Sequence, residues 1–316
     1  MKLKGDKVMK TYVLPGLMAN AATLGIHWIY DYQYLHQLSQ TSSLLFRIQN
    51  KDIYDQADIS YFSYPHQKLG DVTVQGHMMM WLYDALLKKP ELSRLEYEGM
   101  LYEHFKPGGS YIGYVESYAQ KLVLNQIAKN QHIDFPPVTI HDNHLVGFIP
   151  YLVCKELGLS TEKAWDLAQV FTDDPSYLSF YKMFDELLNK IHQLGLKEAL
   201  RSVIHLSPEA YRLSLTQALE MKDTNRFIEG YAGRACAIMS SVPVICHILY
   251  HTHSYHEASL YNAAIGGAVA DRATMIGAIY AQISKIPSEY QVVLKDGAIA
   301  KFMSLHQHDE LTKKNK

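Results

Sequence analysis

The chain has 316 residues, 48% of them hydrophobic, which is enough material for one large globular core. Its formal charge is −2, so it carries no basic footprint for nucleic acid or for an acidic membrane surface. The three cysteines, Cys154, Cys236 and Cys246, have no CxxC spacing and sit in apolar stretches; this argues for free thiols in a reducing, cytoplasmic setting rather than a disulfide framework.

Read in chain order, the N-terminus resembles a secretory leader: Lys2, Lys4, Lys7 and Lys10 precede an apolar run that ends in Ala19-Asn20-Ala21. Pro15 and Asn20 interrupt the run, and the pattern continues into "LGIHWIYDYQYL", which favours a mature helix. A polar loop over about 50–76 leads into "HMMMWLYDALLKK", with Thr73, Gln75 and His77 at the junction as N-cap and ligand candidates. "SRLEYEGMLYEHF" is the next helix. "FKPGGSYIGYVESYAQKLV" then offers Gly109, Ser110 and Tyr111 in a glycine-rich approach to a helix. Such an approach is either a plain loop or a phosphate cradle, without the Gly-Lys-Ser/Thr ending of a Walker loop.

"TIHDNHLVGFIPYLV" places Asn143 and His144 before a further helix, either as caps or as ligands. Ser160 and Ser207-Pro208 predict helix starts, and Gly158 and Gly195 predict helix ends. "FTDDP" reads as a turn or cap. "AIMSSVPVICHILY" reads as a buried core helix, because Pro243, two serines and His247 disqualify it as a membrane span. His251, His253 and His256 invite a metal reading, but the capping-box spacing of Ser254 and Glu257 explains the segment.

The stretch "IGGAVADRATMIGAIYAQISKIP", 265–287, carries Gly266-Gly267 and then Asp271 and Arg272. A buried helix over 273–286 is expected, with small residues forming a close seam. The glycine pair before it could leave backbone N–H groups free for a ligand. Strand signals are poor and no repeat period stands out, so the fold class expected is all-α: a compact orthogonal bundle of many helices. A single domain over 1–310 and a frayed tail over 311–316 are predicted.

These motifs resemble the ADP-ribosylglycohydrolase family, whose members are similar to dinitrogenase-reductase-activating glycohydrolase. That family's GGDTDT motif, alanine-rich helix and closing Ile-Pro align without a gap on "GGAVADRATMIGAIYAQISKIP". Its TDDT motif aligns on "TVQG", 73–76. "NAATLGIHWIYD", 20–31, "SYIGYVESYAQK" and Arg272-Ala273 look closest to a J1-crystallin-like subgroup.

The resemblance implies an all-α fold, two Mg²⁺ ions and hydrolysis of an ADP-ribosyl or related glycosidic bond. The family's metal ligands fall here on Thr73, Val74, Gln75, Ala268, Ala270 and Asp271, so four carboxylates become none and one appears where the family has Thr. No bound metal and no cofactor is therefore expected. Asp271 becomes the candidate base, with His77 or His144 as partner and Arg272 as a charge against a diphosphate. Gly266, Gly267, Gly109, Ser110, Tyr111, Thr73, Gln75 and Asn143 complete the candidate ligand set. The alternative is a catalytically inactive member, a pseudoenzyme that binds an ADP-ribose-like ligand or a protein partner such as an ADP-ribosylated protein. A purely structural role is a third possibility. No nucleic-acid or membrane partner is expected.

Overall fold

In the computed structural model, which describes residues 11–314, helix starts follow from side chains that capture orphan backbone N–H groups. Asp31 accepts from Tyr34 N, Thr73 from Gly76 N, Ser160 from Lys163 N and Ser254 from Glu257 N. Ser93 and Glu96 complete a reciprocal capping box. Ser207 departs from expectation: its hydroxyl turns back to Ile204 O, and a 3-10 turn, Glu209–Tyr211, precedes the helix Arg212–Glu220. Gly158 ends the helix Phe148–Leu157 in the left-handed conformation, as its position predicts.

The molecule is all-α. Among the described residues there is no strand, only two isolated bridges, Ile29 with Ser60 and His144 with Ala237. No helix of the described residues is long and apolar enough to cross a membrane. The last helix, Gly297–Lys314, includes 311–314, which are thus helical backbone rather than a frayed end. Lys2, Lys4, Lys7, Lys10 and residues 315–316 lie outside the described residues.

Two helices form the centre. Val13–Thr23 and Val269–Tyr280 are buried almost all round, and they approach closely because small residues face each other. A Cβ on Gly16 would stand 2.8 Å from Thr274 O, and one on Gly277 would stand 2.7 Å from both Ala19 Cβ and Pro15 O. The close seam expected for 273–286 is real, but its helix starts at Val269 and ends at Tyr280. Val74–Lys88, Phe148–Leu157 and Ile238–His251 surround this pair. Ile238–His251 is the buried helix expected from "AIMSSVPVICHILY", with Pro243 inside it. The start of Val13–Thr23 is capped from a distance by the Glu156 carboxylate, which accepts from Tyr12 N and Val13 N.

Candidate functional site

The glycine pair positions everything that follows. Gly266 and Gly267 have φ of +79° and +72°. A Cβ at Gly266 would lie 2.6 Å from Ile29 O, and one at Gly267 only 2.1 Å from Arg234 O. The glycines are there so that two other chain segments can touch. The backbone N–H groups expected to be free are used internally: Gly267 N donates to Ile29 O, Ala268 N to Arg234 O and Val269 N to Gly267 O. This helix start is not an open anion cradle.

Arg272 fastens the same turn. It is fully buried and directs its guanidinium to Asn262 Oδ1 at 3.0 Å, Arg234 O at 3.2 Å and Gly266 O at 2.5 Å. Burial lowers its pKa to about 10, which still leaves it charged at neutral pH. Its donors are taken up by the protein, so it acts as a clamp on the loop rather than a hand for a diphosphate.

Asp271, on the first turn of that helix, points the other way. Thr73 donates to its Oδ1 at 2.8 Å, and Thr73 in turn accepts from Asn20 Nδ2 at 3.0 Å. Asn20 also donates to Ala270 O, and its Oδ1 accepts from Thr73 N. Asp271 Oδ2 has no partner. Burial raises the Asp271 pKa to about 7, against the opposing pull of Thr73 and Arg272.

His27 Nε2 stands 3.7 Å from that Oδ2. Ala270 N donates to His27 Nδ1, so the ring carries its proton on Nε2 and aims it at Asp271. Burial holds the His27 pKa down to about 3, so the ring is neutral and the pair is not an ion pair.

A second carboxyl completes the arrangement. Glu116 precedes the helix Ser117–Asn130 and is 5% exposed. Burial, and then the Asp271 carboxyl across the interior, push its pKa well above the carboxylate range. The Tyr118 hydroxyl and the Gln75 amide counter that rise, yet neither Tyr118 OH, Gln75 Nε2 nor Glu116 Oε1 completes a well-formed hydrogen bond. Ten buried side-chain polar atoms complete no hydrogen bond among the described residues, although His256 Nδ1 stands against Glu289 and His27 Nε2 faces Asp271 Oδ2; six of the ten belong to His27, Gln75, Glu116, Tyr118, His144 and Asp271. Such atoms are costly where nothing meets them, and their concentration makes this the candidate site.

Glu116 opens into a cavity of about 330 Å³ lined by Trp28, Tyr30, Tyr61, Tyr114, His144 and Cys236, with Ser63 and Ser117. The two isolated bridges frame it. Ile29–Ser60 carries Trp28, Tyr30 and Tyr61 on one side, and His144–Ala237 carries His144 and Cys236 on the other. Trp28 has φ +69°, a left-handed conformation rare for so bulky a residue. Gly267 O accepts from Trp28 N at 2.8 Å, and Trp28 O accepts from Tyr61 N at 3.0 Å.

Of the residues singled out from sequence, Thr73, Gln75, Asp271 and His144 come together here. Tyr111 supports the rim by donating from its hydroxyl to Tyr114 O at 3.0 Å. His77 lies one layer behind, against Trp81 and Tyr111, where burial lowers its pKa to about 4. Gly109 and Ser110 fold back on the preceding helix: Gly109 N donates to Lys106 O, and Ser110 Oγ meets His104 Nδ1 at 2.6 Å. They end one helix rather than start the next.

Asn143 is spent on the 172–174 turn, accepting from Thr172 and donating to Asp174, while Asp174 accepts from Ser176 N. "FTDDP" is therefore a capping turn. His256 pairs with Glu289 at 2.7 Å. Sequence reasoning missed Glu116, His27, Trp28 and Asn20 as site residues, although "NAATLGIHWIYD" and "GYVESYAQK" contain all four.

Two magnesium ions do not fit these donors. Ala268 and Ala270 offer no oxygen from their side chains, and Thr73 is already engaged with Asp271 and Asn20. Among the described residues no group of three or more His, Cys, Asp or Glu is placed to hold a metal. No sequence model of a known family matches the chain, and no curated protein matches it either.

Proposed function

We propose that the protein hydrolyses an ADP-ribosyl or related glycosidic bond using Glu116 and Asp271, on an ADP-ribosylglycohydrolase-like fold. The observation that carries this reading is the pair of buried carboxyls, each with an oxygen that completes no hydrogen bond: Glu116 lines the cavity, and Asp271, which does not, lies near enough to raise the Glu116 pKa. Glycosidic cleavage needs one carboxyl that keeps a proton for the leaving group and one that gives up its proton to activate water. Glu116, whose pKa stands well above the ordinary value, is the acid. Asp271, near 7 and oriented by Thr73, is the base, with the neutral His27 N–H beside it.

No lysine or arginine lines the cavity, so the diphosphate of an ADP-ribosyl group would lie outside it and the sugar inside. The free cysteines fit a reducing, cytoplasmic setting.

The test is release of the sugar from ADP-ribosylated protein and from simple aryl glycosides, with chelator present. Turnover should persist under chelation, and Glu116→Gln and Asp271→Asn should each lower kcat by about 10²–10⁴-fold while the protein stays folded. Turnover untouched by both substitutions would sink the assignment, and ligand stabilisation that requires Mg²⁺ would sink the metal-free mechanism. A second reading, binding without turnover, is favoured by Ala268 and Ala270 standing where the related motif has acids. It predicts stabilisation by ADP-ribose with no release of product.

A further inference from the structure

We propose that the aromatic cavity above Glu116 binds an organic ammonium cation, of which choline is the simplest probe. Its walls are rings set at right angles. Trp28 and Tyr114 meet edge to face at 5.0 Å and 81°, and Tyr30 and Tyr61 meet at 6.0 Å and 89°. Aromatic faces around a space of this kind attract a desolvated cation through their quadrupoles. The floor is the buried Glu116 carboxyl with its free Oε1.

The charge inventory of the interior gives the ligand its sign. Two carboxyls, Glu116 and Asp271, share one buried cation, Arg272, and the Arg272 donors are turned to backbone carbonyls and Asn262. The nearby Lys121 is tied to Asp142 at 3.0 Å. One positive charge is missing when both carboxyls ionise, and the cavity that opens onto Glu116 is lined by no basic side chain that could supply it. An anion would find no basic partner there, whereas a cation supplies the missing charge when both carboxyls ionise. Trp28 is held in its left-handed backbone conformation by bonds to Gly267 and Tyr61, and its indole stacks on His27 with ring centroids 4.6 Å apart, so the buried ring is positioned by the protein itself.

Binding should therefore be linked to proton release. Among the groups facing Glu116, the phenols of Tyr64, Tyr111, Tyr114 and Tyr118 and the Cys236 thiol are all raised by burial. His27, at about 3, stays neutral, His144 is lowered by burial against the opposing pull of Asp142, Asp142 itself is paired with Lys121, and Gln75 does not titrate. Asp271 and Glu116 itself are left to exchange protons, and a bound cation favours their ionised forms.

The experiment is calorimetric titration of choline into the full chain between about pH 6 and about pH 8, in buffers of differing ionisation enthalpy. Affinity should rise with pH by up to about tenfold per unit, with net proton release. The neutral isostere 3,3-dimethylbutan-1-ol should bind at least about tenfold more weakly than choline. Glu116→Gln should weaken choline by about tenfold or more and leave the alcohol unchanged. Tyr114→Leu, on the exposed rim, should weaken choline without touching the buried carboxyls.

Equal binding of choline and the alcohol would overturn the proposal. So would full choline affinity in a folded Glu116→Gln protein, or no choline binding at about 10 mM. The inference shares its carboxyl pair with the proposed hydrolysis but needs no turnover. A protein that binds choline and cleaves nothing would uphold it and refute only the hydrolytic reading.

Discussion

Thr73 shows how much one side chain decides. It caps the helix Val74–Lys88, accepts from Asn20 and donates to Asp271 Oδ1. The last bond draws the Asp271 pKa down against the rise caused by burial. Thr73→Val keeps the volume and removes all three roles. It should cost about 1–2 kcal/mol in urea unfolding, through the lost cap and hydrogen bond. It should also push the Asp271 pKa further up, so the acid limb of the pH–activity profile moves to higher pH. An unmoved acid limb in a destabilised protein would mean that Thr73 is a cap alone and does not tune the carboxyl.

At the scale of elements, the turn before Val269–Tyr280 is where three segments are locked together, and its glycines can be tested against one another. Gly158 and Gly267 both have positive φ, +68° and +72°. Nothing lies within 4 Å of a Cβ built on Gly158, whereas one on Gly267 would meet Arg234 O at 2.1 Å. Gly158→Ala should then cost about 1 kcal/mol, the backbone term alone. Gly267→Ala should cost several times more in thermal or urea unfolding, because Arg234 O also serves Arg272 and Ala268 N. Equal costs would show that the turn can open.

The same turn explains what was legible in the sequence and what was not. Helix positions follow from caps and spacing, so Thr73, Ser160, Ser254 and Gly158 announce themselves locally, whereas Ser207 does not cap as its Ser-Pro pattern predicts. The small-residue seam was readable from Gly277 and Ala273 for the same reason. Glu116 was not, because a single acid before a helix carries the same local signal whether it faces water or Asp271. His27 and Trp28 gain their roles only when Ala270 N, Gly267 O and Tyr61 N reach them from distant parts of the chain. Glycines 266 and 267 invited a ligand reading because sequence shows that a backbone must come close, without showing that the backbone belongs to Ile29 and Arg234.

On the scale of the whole molecule, the buried titrating groups fall into two opposed sets, and stability against pH reports their balance. Asp271 has a folded pKa of about 7 against an ordinary value of 3.8, and Glu116 is raised in the same direction. Groups of this kind hold their protons more tightly in the fold. Their contribution is complete below the unfolded pKa and is lost as pH rises through the folded one. His27, at about 3, and His77 and His247, at about 4, are lowered by burial. They favour the neutral ring in the fold, so their contribution is complete above about 6.5 and is lost as pH falls toward the folded values. Between about pH 4 and about pH 7 the two sets oppose each other, and the wild-type melting temperature should vary less than either set alone dictates. Asp271→Asn removes one member without changing the histidines. The variant carries a neutral amide at all pH values, whereas the wild type must bury a charge as Asp271 ionises. Relative to wild type, the variant should therefore gain melting temperature as pH rises from about 4 to about 7, most steeply between the unfolded and folded pKa values of Asp271, and level off above about 7. A difference that stays constant across this range would place the Asp271 pKa at its ordinary value. It would also remove the base from the proposed chemistry, since a carboxyl that is fully ionised well below neutral pH has little driving force to take a proton from water.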